Sequence, residues 1–202
     1  MARTDHGLVR PALGILLLAS LTVTVTGCGV FFGFDDGAPE AERLAAIVEE
    51  LPGVESVTAD GTAQNFEYAA NAHVSVRMGA DAGAAELEGV LLAWQKAVTD
   101  GGKDRIRNQI AVELGSSDCA AEAVSKIDED QLKGTALFLP ALCAAVDGAV
   151  VSISDTWDRR EVFIGHTSLP LDVEQLHALP GAATEHLDYW RVDEQVYRWG
   201  DD

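Results

Sequence analysis

Apolar residues recur at helical spacing in two segments of the chain. The first segment begins near Pro39 and ends at Pro52, and its stripe consists of Leu44, Ile47, Val48 and Leu51. The second segment runs from about Ala82 to Thr99, and its stripe consists of Leu87, Val90, Leu91, Trp94 and Val98. Residues three and four apart share one face of a helix, so each segment is predicted to be a helix with one buried side.

Strand patterns lie between and after these helices. Residues 54–62 and 106–114 are predicted to be strands. From Phe66 to Met78, apolar or aromatic residues alternate with polar ones such as His73. This period of two predicts a longer strand with one buried face and one wet face, and it places His73 on the wet face.

The second half of the chain repeats this order with weaker signals. Ser117 or Asp118 is suited to cap a helix that begins near Cys119. The remaining predicted elements are a loop at 128–134, a helix at 140–146, a hairpin of 150–154 with 161–167, a short helix at 171–178 and one strand at 187–199.

The order of these elements predicts an α+β fold built from two αββαβ units, residues 38–116 and residues 117–202. The helix-to-strand junction Leu51-Pro52-Gly53-Val54 and the element order resemble those of small ferredoxin-like binding modules. The resemblance implies two tandem half-domains with antiparallel sheets. It includes no functional motif, and a fold that serves many activities identifies none of them.

The first 28 residues have the order of an export signal. A basic start with Arg3 and Arg10 precedes the apolar residues 13–25. The sequence Val25-Thr26-Gly27-Cys28 resembles the lipobox of bacterial lipoproteins, in which an aliphatic residue and two small residues precede a cysteine. The resemblance implies that residues 1–27 are a removed signal peptide and that Cys28 carries a diacylglycerol. The protein is then anchored in the cell membrane on its extracytoplasmic face.

Two alternatives to the lipid anchor stay open. Residues 11–34 are long enough for a transmembrane helix, which needs roughly 20 apolar residues. Against it, hydroxyl side chains crowd the second half of this stretch, and Asp35 and Asp36 follow instead of basic residues. The other alternative is a secreted protein with an incidental cysteine. Residues 28–37 are predicted to be a short apolar tether, whose phenylalanines either enter the lipid interface or form the first strand of the domain.

Acidic residues outnumber basic ones along the whole chain. Asp and Glu number 33, Lys and Arg number 14, and the net charge is −19 at pH 7. Such a surface repels phosphate backbones and anionic headgroups, which argues against a nucleic-acid partner and against peripheral electrostatic binding to lipid. We therefore expect the membrane as a partner through the diacylglycerol, together with an envelope protein or a glycan.

Cys119 and Cys143 are the two cysteines that remain after Cys28. In an exported protein, an even pair of cysteines favours a disulfide. The alternative is two buried free thiols. The pair does not have Cys-x-x-Cys spacing, so a redox role is not predicted.

The sequence contains no motif that identifies a reaction. Its histidines show neither His-x-His nor His-x-x-x-His spacing, and no Gly-x-Ser-x-Gly segment marks a nucleophile. We therefore predict no catalytic residues, no metal, no cofactor and no enzymatic activity, and expect non-catalytic binding or scaffolding. The alternatives are a binding module for a glycan or metal, or a cell-wall hydrolase that joins a serine or carboxylate to His166, His177 or His186.

Aromatic residues near the C-terminus form a candidate ligand surface. If residues 187–199 are one strand, Tyr189, Tyr197 and Trp199 share a face, and Trp157 at the hairpin tip extends it. Aromatic faces bind sugar rings or apolar partner surfaces. The alternative is that both faces of this strand are buried.

Overall fold

The computed structural model describes residues 35–64, 69–101, 103, 105–146, 149–156, 160–165, 173–182, 187–192 and 195–198. These residues form four helices, α1 (Ala38–Val48), α2 (Ala84–Gly101), α3 (Glu129–Ala145) and α4 (Val173–His177). They also form eight strands, β1 (Val54–Thr62), β2 (Ala70–Met78), β3 (Ile106–Leu114), β4 (Ser116–Val124), β5 (Val150–Asp155), β6 (Arg160–Gly165), β7 (Leu187–Val192) and β8 (Gln195–Arg198). None of the described helices combines the length and the apolar composition needed to cross a bilayer.

All eight strands belong to one sheet, and their order across the sheet equals their order along the chain. The pairs β1–β2, β3–β4, β5–β6 and β7–β8 are antiparallel hairpins. The pairs β2–β3, β4–β5 and β6–β7 are parallel, and each is joined through a helix because parallel neighbours need a crossover connection. The α+β class is therefore confirmed, whereas the prediction of antiparallel sheets is wrong because the sheet is mixed.

The repeating unit of the described chain is one helix followed by one hairpin, and it occurs four times. The predicted boundary between residues 116 and 117 falls within β4, which pairs with β3 on one side and with β5 on the other. Two tandem ferredoxin-like half-domains are not confirmed, since strand pairing continues across that boundary.

Several predictions for the first half of the chain agree with the structure. β1 and β3 have the predicted bounds, and the stripe of α2 is entirely buried. In α1, Leu44 and Val48 are buried, but Ile47 is 39% exposed. β2 alternates as predicted from Ala70 onward, and the predicted beginning of this strand at residues 66–68 lies outside the described residues.

The helix predicted to begin near Cys119 is wrong, because this segment is strand β4. Cys119, Ala121 and Ala123 are buried at every second position, and β4 pairs with strands on both sides. The alanines of this segment favour a helix in isolation, but pairing with β3 and β5 outweighs that preference.

The loop predicted at 128–134 is also wrong, because these residues begin α3. The Asp128 side chain caps the helix by accepting a hydrogen bond from the Asp130 backbone N–H at 2.7 Å. Glu129 and Asp130 in the first turn further stabilise this end of the helix through its dipole. Pro140 was expected near the start of a helix and instead lies within α3.

The final strand predicted at residues 187–199 is divided into β7 and β8. Val192 pairs with Gln195, so the chain reverses direction between them. Tyr189 pairs with Arg198, and Tyr197 pairs with Trp190. Positions 189 and 197 consequently belong to opposite faces of the sheet, whereas a single strand would have placed them on one face.

The helices cover one face of the sheet, which we call the helix face. Every second residue of β2, β3 and β5 is buried on this face. These residues join the apolar sides of α1, α2 and α3 in one core, whose largest fully buried apolar side chains include Trp94, Phe138, Leu87, Leu132 and Met78. The alternate residues belong to the opposite face, which we call the open face.

A disulfide attaches α3 to the sheet. Cys119 of β4 and Cys143 of α3 are bonded, with their Cα atoms 6.0 Å apart. The predicted bridge is confirmed. The bond restrains the unfolded chain by closing a sequence separation of 24 residues.

A buried polar network lies between α3 and the ends of β5 and β6. Arg160 is 0% exposed and Asp155 is 1% exposed, and Arg160 Nε donates to Asp155 Oδ1 at 2.7 Å. Arg160 Nη2 donates to the Gln131 carbonyl at 2.6 Å, and Nη1 donates to the Gly181 carbonyl at 3.3 Å. The Thr135 hydroxyl hydrogen-bonds both charged side chains. The network thus fixes two strands, α3 and the turn after α4 relative to one another.

The first described residues run along the end of β1. The Gln64 N–H donates to the Asp35 carbonyl at 2.8 Å, and Asp36 forms an antiparallel bridge with Ala63. At Gly37 a Cβ atom would lie 1.7 Å from the Asn71 carbonyl oxygen, so only glycine fits there. The start of α1 is therefore packed directly against the sheet at this end.

Candidate functional site: the open face of the sheet

The open face carries mainly polar and small side chains along the central strands. On β2 and β3 they are Asn71, His73, Ser75, Arg77, Arg107, Gln109, Ala111 and Glu113. On β4, β5 and β6 they are Ala120, Glu122, Ser152, Ser154, Glu161 and Phe163. All are half-buried or exposed. The described helices leave this face of the mixed sheet uncovered, so it is a candidate binding surface.

Strand register aligns these residues in rows that cross the sheet. One row consists of Ser75, Ala111, Glu122 and Ser154, contributed in order by β2 to β5. The adjacent row places His73 beside Gln109, which in turn lies beside Val124. Neighbouring strands are about 4.8 Å apart, so a row of four residues spans roughly 15 Å. The side chains at positions 75, 111 and 154 are small, so the sheet surface along the first row is low and accessible.

A cavity of about 440 Å³ opens where these rows end near β4 and β5. Its polar lining consists of His73, Arg107, Gln109, Glu122, Ser154, Asp155 and Thr156. The volume falls in the range of small-molecule sites, roughly 300–1,000 Å³. The lining offers hydrogen-bond donors and acceptors and side chains of both charges, a combination that suits a ligand rich in hydroxyl groups.

Two contacts that involve charged side chains lie on the open face away from this cavity. Arg77 Nη2 lies 2.8 Å from Glu113 Oε2, and these side chains are 52% and 35% exposed. An exposed pair of this kind adds little stability, and its main effect is to fix the two side chains relative to each other. Near the other side, the Arg191 guanidinium carbon lies 5.6 Å from the centre of the Phe163 ring.

His73 and Ser75 form a contact that bears on catalysis. Ser75 Oγ lies 3.4 Å from His73 Nδ1, and both residues belong to the open face of β2. Proton transfer from a nucleophile to its base is expected at roughly 2.6–3.2 Å. The contact therefore suits hydrogen bonding to a ligand better than activation of the hydroxyl group.

The structure describes only some of the residues predicted to form sites. Cys28, Trp157 and Trp199 lie outside the described residues, as do His166 and His186. Cys119 and Cys143 are joined as predicted. Positions 189 and 197 are described by their backbone pairing alone, and that pairing separates them onto the two faces of the sheet.

Sequence reasoning missed the open-face row of β3 to β5 as a site. The alternation in β2 identified His73 and Ser75 as wet-face residues, but Gln109, Glu122 and Ser154 carry no motif. Their grouping depends on which strands are neighbours and in which register, and the sequence predicts a helix where β4 lies.

No group of three or more His, Cys, Asp or Glu side chains suited to a metal ion occurs among the described residues. The chain was compared with known proteins at three levels. No family model, no curated protein and no solved structure matches it. The case for a function therefore depends on the residues themselves.

Proposed function

We propose that this protein is an exported lipoprotein whose signal peptide is residues 1–27 and whose membrane anchor is a diacylglycerol on Cys28. The order of the basic start, the apolar stretch and the motif Val25-Thr26-Gly27-Cys28 supports the proposal. The Cys119–Cys143 disulfide adds independent support, because disulfides persist in oxidising compartments and are rare in the cytosol. The domain then lies on the extracytoplasmic side of the membrane.

In this location the protein acts as a non-catalytic binding or scaffolding protein. The observation that carries this proposal is the polar face of the mixed sheet, which the described helices leave uncovered. Eight strands spaced about 4.8 Å apart give a face roughly 34 Å wide and about 20–30 Å long. This area is comparable with the roughly 800 Å² that each partner contributes to a specific protein interface. An envelope protein is therefore the first candidate partner.

A glycan is the second candidate ligand, and the 440 Å³ cavity favours it. His73, Gln109 and Glu122 offer donors and acceptors to neighbouring hydroxyl groups, and Arg107 adds a positive charge at the rim. A cell-wall hydrolase has weaker support, because it depends on the 3.4 Å contact between Ser75 and His73.

The binding proposal is tested with arginine substitutions on the open face. Ser75→Arg and Ser154→Arg each place a large cation on the shallow row, and neither position contributes to the core. Ala85→Arg is the matched control, because it puts the same side chain on an exposed position of α2. The full-length lipoprotein is crosslinked in native membranes, and crosslinked partners are quantified by mass spectrometry.

We expect both open-face variants to lose roughly nine-tenths of the crosslinked partner. This tenfold change in binding is equivalent to about 1.4 kcal/mol. Ala85→Arg should retain the crosslinked partner. Equal retention by all three variants would reject the open face as the binding surface. Binding to purified cell-wall glycan that Glu122→Gln abolishes, with no crosslinked protein, would favour the glycan hypothesis.

The anchor is tested separately by metabolic labelling with palmitate. Cys28→Ser removes the acylated thiol, so we expect no label and an unprocessed chain. Cys143→Ser is the matched control and retains the label. Palmitate incorporation into Cys28→Ser contradicts the anchor.

A further inference from the structure

A second cavity, which we call the basic pocket, lies at the end of the sheet near the close of α2 and the beginning of β3. Its volume is about 790 Å³. The basic side chains that line it are Lys103, Arg105, Arg107 and Lys126. Asn108, Gln64 and Thr99 contribute polar groups, and no Asp or Glu is among the described lining residues.

This grouping contrasts with the charge of the whole chain. The chain has 14 basic residues against 33 acidic ones, and four of the basic residues meet at this pocket. Elsewhere, the basic residues that form ion pairs include Arg43, Arg77, Lys96, Lys133 and Arg160. Within the described residues, Lys103, Arg105 and Arg107 form no ion pair. In so acidic a chain, three neighbouring basic residues that pair with no described carboxylate indicate a binding site for an external anion.

Asn108 supplies a second, independent indication of a ligand. Asn108 is 2% exposed and lines the pocket, yet its Oδ1 atom has no hydrogen-bond partner in the described part of the chain. Its Nδ2 group donates to the Ile106 carbonyl at 3.3 Å. A buried acceptor without a donor is unfavourable, and a ligand hydroxyl group would satisfy it. The pocket therefore suits a ligand that carries both a phosphate and a hydroxyl group.

The pocket lies beside the point at which the chain enters the described domain, and the proposed membrane anchor precedes that point. Gln64 lines the pocket, and its N–H donates to the carbonyl of Asp35, the first described residue. Six residues lie between Cys28 and Asp35. The seven steps along the chain that join these two residues span at most about 25 Å when fully extended. The basic pocket thus lies beside the first described residue, which is at most about 25 Å of chain from the proposed acyl chains.

We propose that the basic pocket binds the phosphate and glycerol hydroxyl groups of an anionic phospholipid headgroup and docks this end of the domain on the membrane. The proposal rests on the lipid anchor proposed above. Each Lys or Arg near an anionic surface strengthens attraction roughly five-fold. The remaining acidic surface is repelled by the same headgroups, so the two effects together orient the domain with its basic end toward the bilayer. This proposal departs from the expectation, based on the overall negative charge, that the protein does not bind lipid electrostatically, because four basic residues are grouped locally.

The experiment uses the full-length lipoprotein reconstituted in vesicles and a mild amine-reactive label. The chain has four lysines: Lys103 and Lys126 line the pocket, and Lys96 and Lys133 lie on α2 and α3 outside it. Labelling rates are compared between phosphatidylcholine vesicles and vesicles that also contain phosphatidylglycerol. We expect Lys103 and Lys126 to react at least about three-fold more slowly in the anionic vesicles, while the other two lysines change little.

Arg105→Gln removes one positive charge from the pocket and should reduce this protection. Ala85→Glu changes the net charge by the same amount on the exposed side of α2 and should leave the protection intact. Added salt should also remove the protection, because screening shortens the Debye length from about 10 Å at 0.1 M to about 3 Å at 1 M.

Three outcomes overturn the proposal. Equal labelling in both kinds of vesicle shows that the pocket does not contact the headgroups. Equal protection of all four lysines shows adsorption without orientation. Protection by soluble glycerol 3-phosphate in phosphatidylcholine vesicles, with none from phosphatidylglycerol, assigns the pocket to a soluble phosphate ligand. Failure of the anchor itself is distinguished from these results, because a chain without acyl groups gives no palmitate label.

Discussion

The layer beneath α2 and the layer beneath α3 attach a helix to the same sheet by different means. Under α2, the stripe of Leu87, Val90, Leu91 and Trp94 packs in an apolar core with the alternate residues of β2 and β3. Under α3, apolar contacts are joined by a disulfide and by an ion pair between Arg160 and Asp155 with no solvent exposure of either side chain. Both layers exclude water, and α2 also donates a hydrogen bond from Gln95 to the Ile127 carbonyl at 2.9 Å. Among the described residues, only the second layer combines a disulfide with a buried ion pair.

The difference concerns what each layer can tolerate. An apolar core accepts changes that conserve volume, whereas a buried ion pair loses stability sharply when one partner is removed. Buried ion pairs are weak evidence for stability, since apolar residues of similar volume often replace both partners without loss. We therefore interpret the polar network mainly as a device that fixes the orientation of α3 and of the turn at Gly181.

The largest effect is expected from Arg160→Met. The substitution leaves the Asp155 carboxylate buried without its cation, so the free energy of unfolding should fall by about 4 kcal/mol in urea titrations. The double variant Arg160→Met/Asp155→Leu removes both charges and should recover most of that loss. A double variant as unstable as the single one would contradict this account of the network.

Removal of the disulfide is expected to have the next largest effect. Cys119→Ala/Cys143→Ala releases a loop of 24 residues, and the chain-entropy model gives a loss of about 3.5 kcal/mol. Amide hydrogen exchange provides a local measurement, in which protection should decrease in α3 more than in α2. Equal loss of protection in both helices would show that the two layers unfold as one unit.

Leu87→Ala tests the apolar layer by itself. Leu87 is fully buried in α2, and its truncation leaves a cavity that should lower the free energy of unfolding by about 3 kcal/mol. The control Leu87→Met conserves most of the volume and should lower stability by less than about 1.5 kcal/mol. A loss for Leu87→Met as large as that for Leu87→Ala would indicate that shape and not volume governs this layer.

The smallest effect is expected at the partly exposed ion pair Arg43–Glu40 within α1, whose arginine also reaches α2. Arg43 donates to both carboxylate oxygens of Glu40, at 3.0 and 2.7 Å, and to the Ala97 carbonyl at 3.1 Å. Arg43→Gln should lower the free energy of unfolding by about 1 kcal/mol, because solvent screens a side chain that is over one third exposed.

The pH dependence of that pair follows from the pKa of Arg43. The hydrogen bond to Glu40 raises this pKa, and burial partly opposes the increase. A raised pKa in the folded state gives a stabilising contribution that is complete below the unfolded pKa and is lost as the pH rises through the folded one. The stability difference between wild type and Arg43→Gln should therefore stay constant from about pH 7 to about pH 10. A difference that shrinks within this interval would show that another group controls the pair.

The pattern of apolar and polar residues predicted those helices and strands in which buried side chains recur at regular spacing. The stripes of α1 and α2 and the alternation of β2 and β3 could be read from the residues, because side-chain direction within an element is set by backbone geometry. The cysteine pair could also be matched, since Cys119 and Cys143 are the two cysteines that remain after Cys28. Elements with mixed signals were misread, as in β4, where alanines that favour a helix are paired as a strand.

The sequence by itself determined the α+β class, the amphipathic helices, the acidic character and the residues that resemble a lipobox. Tertiary structure alone decided that eight strands form one mixed sheet, that Arg160 meets Asp155 in the interior, and that residues from four strands share the open face. It also brought Lys103 and Lys126 to one pocket despite the acidic composition. The physical reason is that periodicity acts over a few neighbouring residues, whereas strand order, register and the grouping of charges depend on contacts between residues far apart in the chain.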